Sequence, residues 1–219
     1  MLKAVLFDMD GVIVDTEPLH HKAYYMMFND YKIHISDKHY ASFTGQSTLN
    51  ICRNLCNQFN LDCNPQELVN QKRLHFKSLF FNDSSLKLIE GVLDLINNYH
   101  TNGLTLVLAS SASMTTINNV FNKFDLDKYF KAKLSGADLK ASKPHPEIFE
   151  EAAKATRFKK NECLVIEDST NGIKAANAAG IFCVGYKSLH SKNQDYSLAE
   201  KVITDFSEIY YEEVFPYFQ

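Results

Sequence analysis

The chain has 219 residues, 45% of them hydrophobic and 22% charged, enough for one packed core with a smaller insert and ordinary for a globular protein. A formal net charge of −3 gives no basis for binding nucleic acid or an anionic membrane, and no apolar run approaches a membrane span. The start, MLKAVLFDMD, meets an aspartate too early for a signal peptide, and the five cysteines are an odd number, so reduced thiols in a cytoplasmic protein are expected.

Four short apolar runs are each followed by a polar loop and a helical stretch: Ala4–Phe7, Leu104–Ala109, Cys163–Ile166 and Ile181–Val184. Continuous rather than alternating apolar residues imply strands covered on both faces, hence parallel βαβ winding. The helical stretches are Val92–Tyr99, Ser113–Phe124, Pro146–Ala155 and Asn171–Ala179, and Val202–Ile203 reads as a late edge strand. Between 15 and 85 the alternation stops. Thr16-Glu17-Pro18 signals a helix start, and the pattern stays helical to Phe81, with breaks near Ser36, Gly45 and Asn60–Pro65. The expected fold is α/β: a Rossmann-like parallel sheet core, residues 1–14 and 86–219, with a helical cap, residues 15–85, inserted after the first strand. Cys52 and Cys56 stand four apart on a helical stretch with Cys63 nearby. With no histidine or second pair at ligand spacing, they are expected to pack in a core.

In open parallel sheets, ligands bind beyond the carboxyl ends of the strands. There the first run offers Asp8 and Asp10, the second Ser110, and the third, Cys163–Ile166, Glu167 and Asp168; Ser142-Lys143-Pro144 precedes the helix at Pro146. Two carboxylates as close as Asp8 and Asp10 disfavour each other's ionisation unless a cation or shared proton relieves them. Hard oxygen ligands with room for water and phosphate suit Mg²⁺, and a lysine and a serine hydroxyl would neutralise and position a phosphoryl group. Taken singly, each signal has a plainer explanation: acidic turns, serines opening helices, a solvated lysine, and acids favoured by a helix dipole. Four such coincidences in the right order at successive strand ends point instead to one phosphoryl-transfer site.

The segments FDMDGVIVDT, VLASSAS, SKPHPEIF and VIEDSTNGIKAA resemble the four motifs of the haloacid dehalogenase-like superfamily, most of all the branch holding β-phosphoglucomutase and small-sugar phosphatases. The resemblance implies that Asp8 is the nucleophile that becomes an aspartyl phosphate. Asp10 would be the general acid/base and lend its backbone carbonyl to the metal; Ser110 and Lys143 would hold phosphate; Glu167 and Asp168 would complete the Mg²⁺ site. Asp10 also favours phosphate chemistry over dehalogenation.

In the insert, His20 resembles a histidine of β-phosphoglucomutase. Thr48, in Phe43-Thr44-Gly45-Gln46-Ser47-Thr48, stands where that mutase has a phosphate-gripping arginine. Threonine cannot replace a planar double donor. Lys72, Arg73 or Lys77 could compensate, and Lys77 is taken with His20 and Thr48 as a cap candidate. The expected reaction is Mg²⁺-dependent hydrolysis of a small phosphorylated metabolite such as a sugar phosphate, by a monomer; the alternative is interconversion of β-glucose 1-phosphate and glucose 6-phosphate. A response-regulator receiver also gathers acids, Mg²⁺, a hydroxyl and a lysine around a phosphorylated aspartate. Receivers, however, lack both the insert and an acid two positions on. Cap motion should hinge near Val14–Thr16 and Leu86–Gly91.

Overall fold

The computed structural model describes residues 1–43, 48–82, 86–188 and 193–218. The chain divides into two compact units, one of Met1–Asp15 with Lys87–Gln219 and one of Thr16–Leu86. Gly45, expected to interrupt the insert, lies with Thr44, Gln46 and Ser47 outside the described residues.

The first unit is built on a six-stranded sheet in the order β3-β2-β1-β4-β5-β6. Its strands are β1 (Ala4–Phe7), β2 (Thr105–Ser110), β3 (Phe130–Ser135), β4 (Cys163–Glu167), β5 (Phe182–Tyr186) and β6 (Lys201–Ile203). Every neighbouring pair is parallel. Strand order reverses about β1, so the β1, β2 and β4 carboxyl ends flank one switch point. One face of the sheet presents Ala4, Leu6, Val107, Ala109, Cys163, Val165 and Cys183 to buried residues of α7 (Glu147–Thr156) and α8 (Thr170–Ala179). On Phe7 converge Tyr99 of α5 (Val92–Thr101) and Phe130, the latter also meeting Phe121 of α6 (Met114–Phe124), all edge-on.

Sequence periodicity missed β3. Its residues, FKAKLS, carry lysines that break the apolar run, yet an edge strand needs burial on less of its surface. Lys131 donates to the Thr156 carbonyl at 3.1 Å, and Lys133 reaches Asp127 at 2.6 Å while lying over the Phe121 ring. The tail forms α9 (Tyr211–Val214) and a final turn. Two bonds fasten the approach to it: the Tyr99 hydroxyl donates to the Ile209 carbonyl, and Tyr211 N–H to Asn98 Oδ1 at 2.8 Å.

The second unit consists, among the described residues, of α1 (Glu17–Asp30), α2 (Asp37–Ala41), α3 (Thr48–Gln58) and α4 (Pro65–Asn82). Pro18 falls in the first turn of α1, where a missing N–H costs nothing. Its core gathers Met27, Phe28, Ile51, Leu55, Leu68 and Val69, with Cys52 and Cys56 buried among them and Cys63 packed alongside. The cysteines are free and serve packing, as their spacing indicated. Where the insert leaves and rejoins the sheet unit, Val14 and Leu88 form an antiparallel bridge and Ile89 N–H donates to the Ile13 carbonyl at 2.9 Å. No helix among the described residues is long and apolar enough to cross a membrane.

Candidate active site

Strand β1 ends at Phe7, so strand alternation reaches Asp8 but not Asp10. Asp8 N–H still continues the ladder to the Ile166 carbonyl at 3.0 Å, after which the chain turns through Met9–Val14. Gly11, at φ +86°, makes that turn, and a Cβ on it would overlap the Asp168 carboxylate. The glycine therefore serves a close approach as well as a left-handed backbone. Asp10 sits part-exposed beside it, its backbone bridged to Val14.

Lys143 unites the predicted site. Its side chain is only 6% exposed. The ammonium donates to Asp8 Oδ1 at 2.5 Å, to Glu167 Oε1 at 2.8 Å and to the Ala109 carbonyl at 3.1 Å, beside Ser110. The loop that delivers it is held by Glu147, whose carboxylate accepts from Ala141 N–H at 2.9 Å, and the Phe149 ring lies beneath the ammonium. Burial by itself would lower the Lys143 pKa, but Asp8 and Glu167 outweigh it and raise it, so the lysine stays charged. Burial pushes the Asp8 carboxyl well up, Lys143 opposes this, and Glu167 and Asp168 add to it.

Glu167 is 1% exposed, and both its oxygens are engaged. Oε1 takes Lys143, and Oε2 accepts from Ser169 N–H at 2.8 Å and Ser169 Oγ at 2.9 Å. Ser169 is also the N-cap of α8, its Oγ accepting from Gly172 N–H at 3.1 Å. Any side chain at Gly172 would run into the Glu167 carboxylate. Ser169 stands in the sequence beside the acidic pair that closes the strand, without a role of its own, and Gly172 was not singled out; a small residue in the first turn after an acidic pair was the available signal. Ser110 closes β2, buried, with its Oγ accepting from Ala112 N–H at 3.1 Å. Asp8, Ser110, Lys143, Glu167 and Asp168 are thus gathered at the carboxyl ends of β1, β2 and β4.

The insert candidates fall out differently. His20 stacks on Phe76 with ring centroids 4.3 Å apart, and its Nδ1 lies 2.6 Å from the Lys72 Nζ. An ammonium can only donate, so Nδ1 is the acceptor and the ring proton sits on Nε2. Lys72 is buried and lies over the Tyr24 ring as well as the Phe76 ring. Thr48, half-buried at the start of α3, shares a hydrogen bond with the Tyr24 hydroxyl, and burial pushes that phenol up to about 12. Lys77, the lysine chosen from sequence, is exposed, whereas Lys72 joins His20. At about 100° per residue, their separation along α4 sets the two side chains about 140° apart around the helix.

Burial, and then the Lys72 charge, lower the His20 pKa from 6.5 to about 3. Between those values the unfolded chain holds a proton that the folded one does not. The His20 contribution is therefore complete above pH 6.5 and lost as the pH falls toward 3. Denaturation of wild type and His20→Gln across this window should show the variant's stability depending less steeply on pH, by about 1.4 kcal/mol per pH unit. Parallel curves would mean that His20 is not a buried neutral imidazole.

A model of the haloacid dehalogenase-like hydrolases matches residues 5–186. The chain is a haloacid dehalogenase-like hydrolase. This member of the family is 29% identical over 199 residues to a phosphorylated carbohydrates phosphatase of Thermotoga maritima, the match covering 91% of each chain. It is 27% identical to a fructose-1-phosphate phosphatase of Escherichia coli over 84% of its own length and 96% of the relative's. It also resembles the crystal structure of a β-phosphoglucomutase from Clostridium difficile, with a TM-score of 0.81 and 26% identity, over 100% of this chain and 97% of that one. The six-stranded parallel sheet with a helical unit after its first strand is the architecture of these hydrolases, and with relatives named as phosphatases the chain is an enzyme of the haloacid dehalogenase-like phosphatase class.

Proposed function

We propose that the protein hydrolyses small phosphate monoesters, sugar phosphates foremost, through an aspartyl phosphate on Asp8. The observation that carries this reading is the buried Lys143 ammonium tying Asp8 to Glu167 at the strand ends. Such a cation both orients a nucleophilic carboxylate and offsets charge on a transferring phosphoryl group.

In the first step an Asp8 oxygen attacks phosphorus and the ester P–O bond breaks, with Asp10 giving its proton to the leaving alkoxide. In the second, Asp10 takes a proton from water, which attacks phosphorus and releases inorganic phosphate and free Asp8. Ser110 donates its hydroxyl to a phosphoryl oxygen. Glu167 anchors Lys143 and the start of α8.

Among the described residues Asp8 and Glu167 share the one Lys143 ammonium, a deficit of positive charge in a desolvated place, with the buried Asp168 carboxylate close by. A divalent cation with hard oxygen ligands fits that deficit. Among the described residues no three His, Cys, Asp or Glu side chains are arranged to hold a metal by themselves. Mg²⁺ keeps several waters and takes substrate oxygens. Asp8, Asp168 and the Asp10 carbonyl would hold it; Glu167, whose oxygens serve Lys143 and Ser169, would support them from behind. When bound, Mg²⁺ supplies charge neutralisation for the transferring phosphoryl group.

We assign substrate choice to the helical insert, acting as the cap, with His20, Thr48 and Lys72 as its polar set. The mutase reading has one observation in its favour: the buried Lys72 is a cation that a second phosphate could use. Hydrolysis is preferred because Thr48 and Tyr24 satisfy each other where the mutase places an arginine. Incubation with Mg²⁺ and β-glucose 1-phosphate, primed with a trace of the 1,6-bisphosphate, decides. Free phosphate without glucose 6-phosphate is the expected outcome. Rapid glucose 6-phosphate with little free phosphate would replace hydrolysis by isomerisation.

A further inference from the structure

The segment Asn193–Ala199 follows β5 in the chain, yet its bonds go back to the acidic loop after β4. Tyr196 donates its hydroxyl to the Asp168 carbonyl at 3.1 Å. Gln194 Oε1 accepts from Thr170 N–H at 2.8 Å, and Asp195 N–H donates to Thr170 Oγ1 at 2.8 Å. The backbone is thus gripped at Asp168 and again at Thr170, while Ser169 between them is held by Glu167. Gln194 satisfies a first-turn N–H of α8 that has no partner within the helix.

The strap is itself well fixed. Asp195 accepts from Ser197 N–H at 2.9 Å, and Ala199 N–H closes a turn on the Tyr196 carbonyl at 3.0 Å. The Tyr196 ring packs on the sheet core. A Cβ at Gly185 would lie 2.8 Å from Tyr196 Cδ1, so β5 has a glycine where the ring must pass.

We infer that Gln194 and Tyr196 are positioning residues that set the Asp168 carboxylate for its divalent cation. The inference rests on the metal reading given above. Asp168 already lies where a side chain on Gly11 would collide with it, so a shift of its backbone has little room to be absorbed on that side. Tyr196→Phe keeps the ring and removes only the hydroxyl. Gln194→Met keeps the length and removes the acceptor.

The test is direct titration of each purified variant with Mn²⁺, read by the spin resonance of the free ion, alongside thermal unfolding. Wild type should bind one Mn²⁺, and Asp168→Asn should weaken binding severely. Tyr196→Phe and Gln194→Met should each raise the dissociation constant about tenfold or more, the range expected when a group supporting a metal ligand is removed. Their unfolding midpoints should stay close to that of wild type. Dissociation constants within twofold of wild type for both variants, with Asp168→Asn still impaired, would overturn the strap's role and leave the metal reading standing. Absence of Mn²⁺ binding by wild type would instead overturn the metal reading and the inference with it.

Discussion

Asp8→Asn is expected to lower turnover by about three orders of magnitude or more, as removal of a sole nucleophile does elsewhere, while leaving the fold intact. Asparagine has the shape of aspartate, and its carbonyl oxygen can still accept from Lys143, which now bonds Asp8 Oδ1 at 2.5 Å. The side chain is nearly buried, so no other carboxylate can slip into its place without moving a strand end. Acid-quenched intact-mass measurement with substrate and Mg²⁺ should show a phosphoryl adduct on wild type and none on the variant. A variant that turns over normally, or that still carries the adduct, would remove Asp8 from the reaction. Loss of activity together with loss of cooperative unfolding would show instead that the charge is structural.

The second large effect is expected at Lys143. Its ammonium serves Asp8 and Glu167 together, and all three side chains are almost wholly buried. Lys143→Met keeps the aliphatic bulk over the Phe149 ring and leaves two carboxylates without their counter-charge. Removing one partner of a buried ion pair costs about 3–5 kcal/mol. The cost should depend on pH in a defined sense. Burial already pushes the Asp8 carboxyl up, and without Lys143 it protonates still more readily in the folded variant than in its unfolded chain, so the folded state binds more protons and gains stability as the pH falls. The stability lost relative to wild type should be largest near pH 8 and shrink toward pH 5. A loss that is constant across that range, or smaller than about 1 kcal/mol, would mean that the ammonium does not carry the site's charge balance.

Much of this was legible in the sequence because it depended on local order. Continuous apolar runs at β1, β2, β4 and β5 mark strands buried on both faces, and short-range punctuation by Pro18, Ser113 and Gly180 marks helix ends. Acids and hydroxyls placed just after such runs must fall at the carboxyl ends of a parallel sheet. That topology alone brings Asp8, Ser110 and Glu167 together. β3 was missed because an edge strand does not need an unbroken apolar run, and its lysines find partners along the edge. In the insert, Lys72 could not be told from Lys77 because both stand in one polar stretch, and only packing decides which of them turns toward His20.

The chain by itself determined the fold class, the place of the insert and the chemical inventory at the strand ends, since those follow from hydrophobic periodicity and from which residue follows which strand. Only the tertiary structure decided how that inventory is used. Glu167, read from sequence as one more metal ligand, spends one oxygen on Lys143 and the other on Ser169. Gly11 and Gly172, which look like loop and helix filler, are needed because a carboxylate occupies the space their side chains would take. Tyr196, 28 residues beyond Asp168, holds that residue's carbonyl. These contacts join residues distant along the chain, and their energies depend on distances of a few ångströms that no local pattern encodes.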